Sequence, residues 1–190
     1  MSPRASNFYD GVHQFTVSQR EVAADVFGDC LLPLGQNEQL LVNNETWIIS
    51  DGTWTKLSNN FHWESTDSRR TFQFGICGLV YDTDGTPLKA VVGGGQYGES
   101  FSQIFDIATR SWRTGPKLPG ALFQNVNVQA GRSFLVVGGL TRIDGGSYPR
   151  LDTIIEFNPD SEQWELRPER LSTVRHDMYA TMVNEDIIPC

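Results

Sequence analysis

The sequence predicts an all-β protein built from repeats, and three observations lead to this prediction. The 190 residues include 18 Gly, 9 Pro, 11 Phe, 5 Tyr and 5 Trp; Gly and Pro interrupt helices, whereas aromatic side chains suit half-buried sheets. Short apolar runs recur between turn residues, and one pattern of strand, glycines and tryptophan occurs twice. With 39% hydrophobic and 20% charged residues, the chain has the composition of a globular protein.

Seven apolar runs have the length of a strand, and each is closed by Gly, Pro, Asn or Asp. They lie at residues 74–81, 88–92, 104–107, 126–128, 134–137, 154–157 and 178–183. Upstream, residues 39–42 and 46–50 followed by Trp54 predict a degraded copy of the same arrangement. Helical spacing is visible at 18–27, a segment that is short for a helix.

Two Asp-Gly segments predict tight turns rather than ligand sites. Asp82, Asp84 and Gly85 could begin a calcium loop, but such a loop needs an acidic residue at its twelfth position, where Gly93 stands. An Asp-Gly pair between two strands instead favours a hairpin turn. Residues 50–53 likewise predict a plain turn rather than a sialidase-type Asp-box.

The repeat is visible in two stretches of the chain. The run Val91-Val92-Gly93-Gly94 reappears as Val136-Val137-Gly138-Gly139, 45 positions later. Downstream, Phe105-Asp106 is followed by Trp112, and Phe157-Asn158 is followed by Trp164, with seven residues from Phe to Trp in both copies. The stretch between the glycines and the aromatic residue differs in length, which indicates constant strands joined by a variable loop.

This pattern resembles the kelch repeat, whose unit is a four-stranded β-propeller blade of about 50 residues. The resemblance implies a partial kelch-type β-propeller of about three to four four-stranded blades. Residues 1–70 would be a degenerate N-terminal blade or leader, 71–119 and 120–171 two kelch blades, and 172–190 the first strand of an incomplete blade. Closed propellers have about 4–8 blades, so we expect the open ends of this one to associate, for example in a homodimer that completes a ring.

The resemblance also assigns roles to the repeated residues. The glycines would end the second strand of each blade, where a sharp turn needs positive φ and leaves no room for a Cβ. Trp112 and Trp164 would lie between neighbouring blades, where a large flat ring buries the most area.

Two polar loops are the predicted binding surface. Residues 96–101 and 141–150 would join the second and third strands of a blade and project at one rim. Within them Tyr97, Arg142, Tyr148 and Arg150 are of the residue types that dominate protein interfaces. We therefore expect a protein partner at this rim.

Two function classes follow from the resemblance. The first is a protein–protein interaction module without catalysis, such as the substrate-recognition part of a cullin-type ubiquitin ligase or a cytoskeletal scaffold. The alternative is a fragment of a kelch-propeller enzyme of the galactose oxidase, epimerase or sialidase type, which would need converging polar or metal-binding side chains.

The sequence predicts no catalytic, metal or cofactor site. His13, His62 and His176 are dispersed, and the glycine runs lack the Lys-Ser/Thr of a phosphate loop. No Gly-x-Ser-x-Gly nucleophile motif occurs. Three cysteines, Cys30, Cys77 and Cys190, are widely spaced, which predicts neither a disulfide framework nor a zinc site.

Charge and hydropathy restrict the partners. The net charge is -8, with no clustered basic stripe, which argues against nucleic acid or an anionic membrane surface as partner. No apolar run approaches the ~18 residues of a membrane helix. Residues 1–7 carry no signal-peptide pattern, so we expect a cytoplasmic protein, unless its true start is missing.

Overall fold

The chain is all-β over the residues that the structure describes, as the sequence predicts. The computed structural model describes residues 6–9, 14–17, 30–35, 37–42, 45–57, 75–95, 100–143, 146–177, 180–183 and 186–189, and these form strands, turns and irregular segments without a helix. Within these ranges no helix has the length and apolar character to cross a membrane. The segment with helical spacing, 18–27, lies outside the described residues.

Three antiparallel sheets of four strands form most of the described chain. They follow an N-terminal hairpin of β1 (Ser6–Tyr9) and β2 (Gln14–Val17). The first sheet contains β3 (Cys30–Pro33), β4 (Glu38–Val42), β5 (Thr46–Ser50) and β6 (Thr53–Lys56). The second contains β7 (Ile76–Tyr81), β8 (Pro87–Gly93), β9 (Ser102–Asp106) and β10 (Ser111–Thr114).

The third sheet is interrupted by a small extra pair of strands. This pair joins β11 (Ala121–Phe123) to β14 (Leu140–Arg142). The third sheet itself contains β12 (Val126–Ala130), β13 (Ser133–Val137), β15 (Thr153–Asn158) and β16 (Gln163–Arg170). A last hairpin pairs β17 (Ala180–Val183) with β18 (Asp186–Pro189). In every four-stranded sheet each strand pairs with the next one along the chain, apart from β14.

All seven apolar runs that predict strands overlap a strand of the structure, namely β7, β8, β9, β12, β13, β15 and β17. At the C-terminus the sequence predicts one strand over 178–183, and in the structure this strand begins at Ala180. The structure also contains β18, which the sequence does not predict because its apolar run is only two residues long, Ile187 and Ile188. Met178 and Tyr179 lie outside the described residues.

The sheets pack against one another in chain order. The first strand of the second sheet, β7, contacts β3 on one side and β12 on the other, and β12 contacts β17. One apolar core joins the first and second sheets, and a second core joins the second and third sheets. The buried residues of the first core include Leu40, Ile48, Val92 and Phe105; those of the second include Ile76, Ile104, Phe134 and Phe157.

The repeated glycines turn the chain at the end of β8 and of β13. Positive φ angles occur at Gly94 (63°) and Gly95 (103°), and again at Gly138 (59°) and Gly139 (93°). A Cβ on Gly94 would lie 2.3 Å from the carbonyl oxygen of Leu122, so the site needs glycine. This corrects the sequence alignment by one residue, since Gly94-Gly95 rather than Gly93-Gly94 matches Gly138-Gly139. Three successive glycines allow both alignments at the level of sequence.

Each repeated tryptophan pairs with the repeated phenylalanine across two strands. Phe105 lies opposite Trp112 and Phe157 opposite Trp164, with ring centroids 5.0 Å and 5.1 Å apart. Trp112 packs on the core between the first and second sheets, and its indole N–H donates to Oγ1 of Thr46 in the first sheet at 2.8 Å. Trp164 packs on the core between the second and third sheets. Both rings therefore lie between sheets, as predicted.

The predicted turns are also present. Oδ1 of Asp82 accepts hydrogen bonds from the backbone N–H groups of Asp84 and Thr86, at 2.9 Å and 2.8 Å, which closes the hairpin between β7 and β8. Asp51 and Gly52, with φ of 47° and 78°, form the two-residue turn between β5 and β6. Positive φ at both central residues matches the right-handed twist of the strands they join.

The structure overturns one prediction about the cysteines. Cys30 and Cys77 form a disulfide, with Cα atoms 6.1 Å apart. The expectation of no disulfide was wrong because 47 residues separate the two cysteines in sequence, whereas β3 and β7, which carry them, lie side by side. The bond ties the first sheet to the second.

Candidate interaction surface

A three-stranded flap projects beside the third sheet. It consists of β11, β14 with Ile143, and the returning segment 146–150, and we refer to it as the flap. The return is fixed by bridges from Leu140 to Arg150 and from Ile143 to Ser147. The backbone N–H of Thr141 donates to the carbonyl of Pro149 at 3.1 Å. Residues 141–143 and 146–150 are therefore paired with each other, and β14 is paired with β11.

The register of the flap places three predicted binding residues on one face. Arg142 lies opposite Tyr148, because the bridges on either side of this pair fix the alignment. Arg150 lies opposite Leu140, two residues further along. Residues two apart on a strand, and residues opposite each other, share a face of a sheet. Arg142, Tyr148 and Arg150 thus form one surface, which we call the flap face.

Phe123 packs beside Tyr148 on the flap face. Phe123 pairs with Leu140 in β14, so it belongs to the same face, and its ring meets that of Tyr148 edge to face at 5.6 Å. Phe123 is buried, whereas Tyr148 is 49% exposed. The ring of Tyr148 therefore packs against a buried aromatic ring, and about half of the tyrosine surface is exposed to solvent.

Leu122 anchors the other side of the flap. It is buried in the core between the second and third sheets. Its carbonyl accepts a hydrogen bond of 2.8 Å from the N–H of Gly95 in the second sheet. The flap is therefore attached to both sheets, and its position is set by the core rather than by its own strand pairs.

The arginines of the flap face have no acidic partner among the residues that the structure describes. Arg142 and Arg150 are both exposed, and neither forms an ion pair with a described carboxylate. Arg175 lies next to them, because its backbone N–H donates to the carbonyl of Leu151 at 3.1 Å. The side chain of Arg175 contacts the hydroxyl of Thr173 and likewise has no ion pair among the described residues.

Other charged residues stabilise the packing of the sheets. Glu162, in the turn before β16, accepts hydrogen bonds from Arg113 at 2.6 Å and 2.7 Å and from Lys89, both in the second sheet. These hydrogen bonds, from Arg113 first and Lys89 second, hold the pKa of the Glu162 carboxyl below its ordinary value. One repeat earlier Arg110 pairs with Glu38 of the first sheet at 2.7 Å, so the charges of the two pairs are reversed.

The remaining pKa shifts also belong to turns and strand pairs. Hydrogen bonds from the backbone and the side chain of Thr109 lower the pKa of Asp106, which closes the turn between β9 and β10. Asn158 takes the same place in the third sheet, where Oδ1 accepts from the N–H groups of Asp160 and Ser161. The Asp or Asn of the repeat is thus a turn residue.

The fourth predicted binding residue, Tyr97, lies outside the described residues. Sequence reasoning missed Phe123 and Arg175 as members of the surface. Phe123 has the apolar character of a core residue, and only the pairing of β11 with β14 places it under Tyr148. Among the described residues, no group of three His, Cys, Asp or Glu side chains is arranged to hold a metal ion.

Comparison with known proteins gives a likeness at the level of structure. No protein-family model matches the chain, and no curated protein sequence matches it. A solved structure titled "Structure of YjhT" is similar over 97% of this chain, with a TM-score of 0.63 and 12% sequence identity. This chain covers 65% of the length of that one. At this identity the likeness shows a shared fold and nothing about activity.

Proposed function

We propose that the chain is part of a kelch-type β-propeller that acts as a protein–protein interaction module. Each four-stranded sheet would be one blade, which gives three to four blades with the β17–β18 hairpin. Three features support this arrangement: the first strands of successive sheets are neighbours, the glycine turns repeat, and each repeated tryptophan packs against the preceding sheet.

The flap face carries the functional part of the proposal. Arg142, Tyr148 and Arg150 share one exposed face on a support anchored in the core, and none of the three side chains has a polar partner among the described residues. An arginine without an internal ion pair has no such pair to break when a partner binds it, and a tyrosine packed on Phe123 loses little side-chain entropy. Such groups are typical of interface hot spots. The module performs no chemistry in this proposal.

A peptide-display selection tests the proposal even though the partner is unidentified. Peptides selected on the folded chain should lose at least about tenfold in affinity for the variant Arg142→Ala/Tyr148→Ala/Arg150→Ala. The matched control is Leu166→Ala/Arg170→Ala, which removes exposed side chains from β16. Equal binding to wild type and the triple variant would contradict the proposal, and circular dichroism would establish that both variants are folded.

We also propose that the 190-residue chain by itself forms a homodimer that completes a larger ring, because an open blade end leaves an apolar face in solvent. Light scattering should give about twice the chain mass of 21.3 kDa. A stable monomer would exclude this assembly and leave the interaction module unaffected.

A further inference from the structure

The flap carries basic side chains that have no carboxylate partner among the described residues, although the protein as a whole is acidic. The net charge of the chain is -8. Most described basic residues are already paired with carboxylates: Lys56, Lys89, Arg110, Arg113, Arg132 and Arg167. Those without a described carboxylate are Lys117, Arg142, Arg150, Arg170 and Arg175. Three of these five lie on or beside the flap, so most of the described basic side chains that lack a carboxylate partner are found there.

The geometry of the flap sets the spacing of this charge. Arg142 and Arg150 lie on the same face in diagonal positions of two paired strands, which places their Cα atoms about 7–8 Å apart. Side chains on Cα atoms with this spacing can reach the same ligand, and an anion bound by both guanidinium groups would offset the repulsion between their charges. Arginine presents a planar pair of donors that fits a carboxylate with two hydrogen bonds.

The backbone next to the arginines is also open. Segment 147–150 is the outer strand of the flap, and the backbone groups of Tyr148 and Arg150 make no hydrogen bond to another described residue. An outer strand with free N–H and C=O groups is a site where an extended segment of another protein can add as a further strand. Alternate side chains of an extended segment are about 6.6 Å apart on one face, close to the spacing of the two arginines.

From this juxtaposition we propose that the flap face binds an extended, acidic segment of a partner protein, with Asp or Glu side chains at alternate positions. Arg142 and Arg150 each hold one carboxylate, Arg175 adds positive charge at the end of the site, and Tyr148 covers the apolar part of the bound side chains. This inference depends on the proposed function and names the chemistry of its partner.

Fluorescence anisotropy with synthetic peptides tests the proposal. The probe is a labelled peptide in which Glu alternates with Thr, and its control has Gln in place of every Glu. We expect the Glu peptide to bind and to lose at least about tenfold in affinity when salt is raised from about 50 mM to about 300 mM. The Gln peptide should bind at least about tenfold more weakly than the Glu peptide.

Two variants locate the binding. Arg142→Gln/Arg150→Gln should weaken binding of the Glu peptide by at least about tenfold. Arg170, an exposed arginine of β16, has no ion pair with a described carboxylate, and Arg170→Gln should leave the affinity unchanged. Arg142→Lys/Arg150→Lys keeps the charge but not the paired donors, and we expect an intermediate loss. The far-ultraviolet spectrum of each variant should match that of the wild type.

The inference would be overturned if the Glu peptide did not bind, if the Gln peptide bound equally well, or if Arg170→Gln lost as much affinity as Arg142→Gln/Arg150→Gln. Equal affinity for single-stranded DNA would also overturn it, because the flap would then be a general anion-binding surface. Failure here is distinct from failure of the proposed function. Display-selected peptides that require Arg142, Tyr148 and Arg150 but carry no excess of acidic residues would retain the interaction module and refute its acidic partner.

Discussion

Among the described residues, the indole N–H of Trp112 donates a hydrogen bond across a sheet boundary. It donates to Thr46, which is buried, whereas the buried N–H of Trp164 has no partner among those residues. The two repeats therefore differ at one atom, and this difference can be measured.

We predict that Trp112→Phe lowers the free energy of unfolding by about 1–2 kcal/mol more than Trp164→Phe does, because only the first change leaves a buried hydroxyl without its donor. Either tryptophan changed to Ala should cost about 3–5 kcal/mol through the cavity formed. Urea denaturation of the four variants provides the values. Equal losses for the two Phe variants would show that the Thr46 hydrogen bond contributes nothing to stability.

Gly78 is a second residue at which two sheets meet closely. It lies in β7, and a Cβ at this position would come within 2.2 Å of the ring of Phe134 in the third sheet. We predict that Gly78→Ala costs about 1–3 kcal/mol of stability, since the buried ring must move. Gly35→Ala, where no atom lies within 4 Å of the added Cβ, is the matched control and should stay within about 0.5 kcal/mol of wild type.

A double variant separates this clash from other effects of the added methyl group. Phe134→Leu removes the ring, so Gly78→Ala should cost much less in that background. Additive losses in the double variant would mean that the close approach of Gly78 and Phe134 is not the cause.

At this scale the sequence predicts the residues that repeat and misses those that do not. Trp112 and Trp164 are visible because they recur with fixed spacing from Phe105 and Phe157. Gly78 and the Cys30–Cys77 bond are each single contacts between different sheets, and no local pattern records which strands will lie side by side.

Among the elements, the turn before β16 attaches the third sheet to the second through Glu162. We predict that Glu162→Gln lowers the stability by about 1 kcal/mol at neutral pH, because Lys89 and Arg113 lose the carboxylate they share. Asp84→Asn, which alters an exposed carboxylate without an ion pair among the described residues, is the control and should have little effect.

The loss should depend on pH in a defined direction. The pKa of Glu162 is lower in the folded protein than in the unfolded chain, so its contribution is complete above the unfolded value of about 4.3 and disappears as the pH falls through the folded value. Urea denaturation at neutral pH and near pH 3 should therefore show a difference between wild type and Glu162→Gln at the first pH and a smaller one at the second. A difference that grows towards acidic pH would exclude the ion pair as its source.

Strands differ in how well their sequences reveal them. Inner strands such as β8 and β13 are largely buried and appear as apolar runs. The outer strands β10 and β16 are mostly exposed, and β16 alternates polar and charged residues around Trp164 and Leu166, so a search for apolar runs passes over them. Residues 141–150 of the flap have the composition of a loop, although Arg142, Tyr148 and Arg150, which are predicted to bind, lie within them.

For the molecule as a whole, the Cys30–Cys77 disulfide closes a loop with a sequence separation of 47. We predict that Cys30→Ala/Cys77→Ala destabilises the protein by about 4 kcal/mol, the value expected from chain entropy for a loop of this size. Reduction of the wild type should shift its urea midpoint in the same direction, whereas Cys190→Ser should not. An unchanged midpoint after complete reduction would show that the bond does not restrain the unfolded chain.

Thiol counting gives a direct check of the bond. The chain has three cysteines, so the denatured, unreduced protein should titrate one free thiol and the reduced protein three. Because disulfides persist mainly in oxidising compartments, the Cys30–Cys77 bond predicts that the protein is found in one. Three free thiols in the protein as purified from its native source would reverse that expectation.

The reversed ion pairs at the two sheet boundaries affect which order of the repeats is favoured. Glu38 of the first sheet meets Arg110 of the second, and Lys89 of the second meets Glu162 of the third. If the middle repeat were deleted, Glu38 would face Glu162, and if it were duplicated, Lys89 would face Arg110, so both rearrangements bring like charges together. The charges of these pairs therefore favour the native order of the repeats over a deletion or a duplication, by an amount on the order of 1 kcal/mol for each boundary.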